Sequence, residues 1–88
     1  MGSQNITGAT VRKLRVGLDL TQDAFAARCQ LQGWDLSRET LAKIEGGIRR
    51  VNDAEVYMLA KALGCPVEEM FKVKKTDVLP VLRHGKAG

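Results

Sequence analysis

Aromatic side chains are scarce in this chain of 88 residues, which holds one Trp, one Tyr and two Phe. Any core must therefore be aliphatic. His84 is the single histidine, and the two cysteines, Cys29 and Cys65, stand far apart with no partners at metal-ligand spacing. That pattern argues against a zinc site and against a Cys/His nucleophile pair. Both cysteines read as small buried hydrophobes, kept reduced in the cytosol. There is no nucleophile–base pair, carboxylate dyad or phosphate-binding glycine loop, so the expectation is a protein that is not an enzyme and needs no metal or cofactor. Charged residues break the apolar stretches well short of a membrane span. Residues 1–10 lack the basic-then-apolar order of a secretory signal, so the expected setting is the cytoplasm, away from any membrane.

The composition, 44% hydrophobic and 27% charged, is that of a globular chain. Its length suits one domain with a modest core and no staples. Net charge is +4, but its distribution says more than its sum. Residues 1–50 carry eight Lys/Arg against five Asp/Glu, residues 51–71 one against four, and residues 72–88 five against one. A chain that meets a polyanion with one face and packs or pairs through another has this pattern.

Short helices account for most of the sequence. Val11, Leu14 and Leu18 recur at helical spacing, which predicts a first helix from about Thr10 to Val16 or Leu18, with Arg12, Lys13 and Arg15 facing away from the core. Thr21 is an N-cap for a second helix whose inward side is Phe25, Ala26 and Cys29. Ser37 caps a third, Arg38 to Glu45, held by Leu41 and Ile44 and stopped by Gly46 and Gly47. Asn52 or Asp53 caps a fourth, with Glu55 completing a capping box and Val56, Leu59, Ala60 and Leu63 forming the stripe that ends at Gly64. Pro66 opens a short fifth helix, in which Val67, Met70 and Phe71 close the core. The tail holds Val78, Leu79, Val81 and Leu82 around Pro80, which predicts an extended arm or short strand there. Its small, polar end, His84 to Gly88, is expected to be disordered.

The stretch from Leu20 to Gly47 carries the functional signal. Leu20-Thr21-Gln22 opens the second helix, Ala26 is the small residue at its centre, and Ser37 caps a third helix that ends Ile44-Glu45-Gly46-Gly47. With Leu59 to Gly64 and Val67 to Phe71 behind it, this order resembles the Cro/C1-type helix-turn-helix family, also called the XRE family. The resemblance covers about residues 10–71. It implies an all-α, five-helix, lambda-repressor-like DNA-binding domain that binds double-stranded DNA and regulates transcription.

The resemblance implies that Arg38, Glu39 and Lys43 read bases from the third helix. An Arg can donate twice to a guanine, and a Glu can accept from a cytosine amine. Glu39 could instead orient Arg38 or Lys43. Gln22 would hold a phosphate at the start of the second helix, Arg49 and Arg50 would clamp the backbone just beyond the third, and Ser37 and Thr40 complete the phosphate set. Glu45 is a family hallmark with a structural reading, a pairing with Arg15. Trp34 reads as a lid on the core rather than a stacker. One departure stands out. The connection Gln30–Leu36 is about five residues longer than the tight turn of the motif. Leu31, Trp34 and Leu36 are expected to fold back over the core, with Gly33 giving the bend.

The expected organisation is an N-terminal arm at 1–9, a helix-turn-helix domain at 10–71 and a basic tail at 72–88. The expected function is sequence-specific repression or regulation as a homodimer on a palindromic operator, since twofold pairing doubles a small contact surface. The dimer would form through the fifth helix and the segment after it, with a strand exchanged from the tail; the other reading of that tail is a basic arm, with Lys72, Lys74, Lys75, Arg83 and Lys86 on DNA phosphates. The rival function is an antitoxin that neutralises a protein partner through residues 51–71 or the tail.

Overall fold

The computed structural model describes residues 3–82, which contain helices and no strand. Four α-helices come first: α1 Gly8–Gly17, α2 Gln22–Leu31, α3 Arg38–Glu45 and α4 Asp53–Leu63. A 3-10 helix follows at Val67–Phe71, then a one-turn α5 at Lys75–Val78 and a second 3-10 helix at Leu79–Val81. The helix starts are set by local chemistry. The hydroxyl of Thr21 accepts from the Ala24 N–H, that of Ser37 from Thr40, and the carboxamide of Asn52 from Glu55, whose carboxylate returns the bond to the Asn52 N–H. Each satisfies an amide the helix leaves unpaired. Gly64 ends α4 at φ 72°, a left-handed conformation that suits glycine.

The core is one cluster that joins all four helices. Val11, Phe25, Cys29, Leu36, Leu41, Ile44, Leu59 and Met70 are fully enclosed, with Ala60, Ala62, Val56 and Leu63 beside them. Burial pushes the Cys29 thiol up to about 11, so it is an apolar filler at neutral pH. Met70 alone of the fifth helix is enclosed; Val67 and Phe71 are exposed rather than closing the core. A five-residue 3-10 helix turns tightly and offers one narrow edge to its neighbours.

The connection between α2 and α3 is ordered. Two residues assigned to it, Gln30 and Leu31, belong to α2. Gly33 makes the bend at φ 94°, and the Gln30 carboxamide donates to the carbonyl of Leu36 at 2.7 Å. Leu36 is buried and Trp34 packs half-buried on the core, as expected, but Leu31 is 88% exposed. At the last turn of α2 it points away from the side occupied by Cys29.

Three further expectations need correction. The first helix begins at Gly8, two residues early. Leu18 is exposed while Arg15 is buried, because Arg15 has a carboxylate partner inside. The tail is helical rather than extended: Pro80 sits in the first turn of its 3-10 helix, where its missing N–H is no loss. The segment from Lys72 to Pro80 shares a cleft with Ser3–Thr10 and with the turn at Gly46 and Gly47. The expectations for His84–Gly88, and for Arg83 and Lys86 on phosphates, lie outside the described residues. No helix among the described residues is long and apolar enough to cross a membrane.

Candidate nucleic-acid interface

Helix α3 is held by one side and free on the other. Leu41, Ile44 and Glu45 are buried, whereas Arg38, Glu39, Ala42 and Lys43 are exposed and Thr40 is half-buried. At about 100° per residue, Glu39 and Ala42 fall mid-face with Arg38 and Lys43 on either flank. The structure thus gathers the three expected base-reading residues on one outward surface. Ala42, a small apolar residue, lies between them, on the side that Leu41 and Ile44 leave free. Its exposure depends on which side of α3 the core occupies. Ser37 and Thr40 lie at the N-terminus of α3, where the Ser37 hydroxyl donates to that of Thr40 at 3.0 Å.

Arg38 is anchored only lightly, 3.8 Å from the carboxylate of Asp23 on α2 with both side chains well exposed. A pair so solvated contributes little to stability and leaves the guanidinium available.

The angle between the helices depends on a buried ionic node. Arg15 of α1 donates from Nε and a terminal nitrogen to the two oxygens of Glu45 on α3, at 2.7 and 2.9 Å, and donates to the Leu20 carbonyl at 2.7 Å. The expected pairing of these residues is therefore present. The pair is enclosed, at 9% and 2% side-chain exposure. Hydrogen bonding to Glu45 raises the basicity of Arg15 further. Gln22 joins the node, donating to Glu45 at 3.1 Å. Its amide nitrogen carries a second N–H. One carboxylate thus ties together α1, α2 and the last residue of α3.

The loop after α3 separates its two arginines. Arg49 is bound by Glu55 through two bonds of 3.0 and 2.8 Å, and it also donates to the Arg50 carbonyl at 2.8 Å. The pairing holds the Glu55 carboxyl below the usual carboxylate range. This contribution is present above ordinary carboxylate pH and fades as pH falls through the lowered value. Arg50 is exposed, and among the described residues its side chain makes one hydrogen bond, a long one of 3.4 Å to the Val81 carbonyl. Adjacent in sequence, the two differ in how much of the guanidinium is free.

Sequence reasoning missed Asn5. Its carboxamide is buried and bonds three backbone groups: it accepts from the Gly8 N–H at 2.7 Å and donates to the carbonyls of Ile44 and Arg49 at 3.0 and 2.9 Å. Asn5 lies two residues ahead of Thr7, the N-cap of α1, so the usual capping pattern does not single it out. Its two distant acceptors had no local trace.

A family model described as helix-turn-helix matches residues 11–70. Comparison with curated proteins and with solved structures gives no match. The matched span runs from α1 to the first 3-10 helix and includes all of α3, the turn before it and the arginine loop after it. The chain therefore belongs to the Cro/C1-type, or XRE, helix-turn-helix family of DNA-binding transcription regulators.

Proposed function

We propose that the protein is a repressor that binds a specific palindromic operator as a homodimer, with α3 of each copy in the major groove. The observation that carries this reading is the outward face of α3. It presents Arg38, Glu39 and Lys43 around a small Ala42 on a helix whose opposite side is locked into the core. B-DNA admits one helix in the groove and is read there by such side chains. Arg38 reads a guanine, Glu39 accepts from a cytosine amine or aligns its neighbours, Lys43 donates to a base edge, and Ala42 lets the helix approach or meets a thymine methyl. Gln22, Ser37, Thr40 and Arg50 hold phosphates. Arg49, occupied by Glu55, contributes chiefly by shaping the loop that presents Arg50. The domain then divides into the arm at 1–9, the helix-turn-helix at 10–71 and the tail at 72–88. A regulator of this kind acts in the cytoplasm.

A random-oligonucleotide selection with the full chain tests this. Arg38→Ala should weaken binding by about 1–3 kcal/mol and relax preference at one base pair per half-site. Arg50→Ala should weaken all duplexes alike and flatten the salt dependence by about one phosphate contact. A selection with Arg38→Ala that returns the unaltered sequence would show that the wrong face of α3 has been assigned to the groove.

The dimer reading is supported by exposed apolar side chains near the chain's end: Val67 and Phe71 on the 3-10 helix, and Leu79 and Leu82 beyond it. Such a group is what a partner surface covers. Sedimentation at micromolar concentration should give twice the monomer mass, falling to one on Phe71→Glu. A monomer at that concentration would remove the dimer from the proposal. The antitoxin reading has less support: within 51–71, Glu55 is engaged by Arg49 and Glu69 by Lys72.

A further inference from the structure

We propose that Asn5 is a positioning residue for DNA-backbone binding, fixing the loop that carries Arg50 to the facing ends of α1 and α3. The inference rests on reading Arg50 as a phosphate contact. Asn5 lies outside the span matched by the family model and is only 8% exposed. Its hydrogen-bonding capacity is spent on backbone from three places: the first residue of α1, the last turn of α3 at Ile44, and Arg49 in the loop. Both amide protons and the carbonyl are used.

The loop needs this restraint. It opens with two glycines, Gly46 and Gly47, and Gly47 sits at φ 72°. Successive glycines give a chain many alternative paths. The loop is pinned at three points: the Gln4 N–H donates to the Gly47 carbonyl at 2.7 Å, Asn5 holds the Arg49 carbonyl, and the Arg49 guanidinium bridges the Arg50 carbonyl to Glu55. What this leaves in solvent is the side chain of Arg50. A loop ordered before DNA arrives avoids the ordering cost at the moment of contact, so its cation binds a phosphate more tightly. The segment before α1 therefore acts on DNA binding through the loop, without touching DNA itself.

Asn5→Asp separates this role from simple helix capping. A carboxylate still accepts from the Gly8 N–H and suits the positive end of α1. It cannot donate to Ile44 or Arg49, and it faces both carbonyl oxygens. Binding is titrated from low to moderate KCl on the duplex returned by the selection and on a scrambled duplex of equal length, with folding checked by circular dichroism. The expected result is about a tenfold loss on both duplexes, with a log Kd against log salt slope shallower by about one contact. Added to Arg50→Ala, Asn5→Asp should leave the slope where Arg50→Ala alone puts it. Should the carboxylate prevent folding, Asn5→Ala removes both N–H donors without charge and reads the same slope. A residue that only stabilised the fold would lower the folded fraction and leave the slope alone. If a folded Asn5 variant keeps the original slope while Arg50→Ala flattens it, the role of Asn5 is overturned by itself. If Arg50→Ala leaves the slope unchanged, the phosphate reading falls and this inference falls with it.

Discussion

Replacing Glu45 with alanine is expected to cost about 3–5 kcal/mol of folding stability, a large part of what a small domain possesses. The substitution leaves the Arg15 guanidinium enclosed with one carbonyl, from Leu20, in place of a carboxylate. An unpaired charge that is nine-tenths buried must either draw in water, opening the contact of α1 with α3, or bear the full desolvation penalty. Gln22 loses its partner in the same step. The measurement is equilibrium denaturation by urea. The companion variant replaces both ends, Arg15→Met with Glu45→Leu, and should recover most of the loss, since an apolar pair of similar volume requires no desolvation of charge. A loss below about 1 kcal/mol in the single variant would mean that the pair is far more solvated than its burial indicates.

Gly8→Ala should be nearly as damaging, at about 3 kcal/mol or more. Helix propensity alone points the other way, since alanine is favoured over glycine inside a helix by about 1 kcal/mol. At Gly8, however, the added methyl would run into the backbone carbonyl of Ile44 and press on the Asn5 carboxamide. A carbonyl in the last turn of a helix cannot swing aside as a side chain can, so α1 must move off α3 and take the Asn5 bonds with it. Gly17, at the other end of α1, is the internal control: a methyl there meets no neighbouring atom. Gly17→Ala should hold or slightly raise stability. Equal melting temperatures for the two variants would refute the close approach of α1 and α3.

These expectations mark the boundary between local and distant information. The starts of α2, α3 and α4 were legible because a cap acts over three residues: Thr21, Ser37 and Asn52 each satisfy an amide three positions ahead. The outward face of α3 was legible because Leu41 and Ile44 share a side of any helix. The order of these signals also sufficed to identify the family, confirmed over residues 11–70. The pattern misled where a residue's environment was set elsewhere in the chain. Leu31 and Leu18 have the right character for a core but fall where no neighbouring element covers them. Pro80 and its leucines were expected to extend because a proline bars a helix interior, but Pro80 falls at a helix start, where it is tolerated.

By itself, then, the sequence determined that the residues up to Phe71 fold as helices, where α2, α3 and α4 begin, and which side of α3 faces away from the core. Each of those follows from bonds or periodicities spanning only a few residues. The tertiary structure decided what depends on partners far away along the chain. Arg15 is buried because Glu45 lies 30 residues on. Of two adjacent arginines, Arg49 is bound and Arg50 is left exposed, because Glu55 is oriented by the cap of α4. Asn5 reaches the loop beyond α3 only because Gly8 allows two helix ends to meet backbone to backbone. A charge or an amide has no preferred burial of its own; the partner that folding brings to it determines whether it stays in solvent or becomes part of the core.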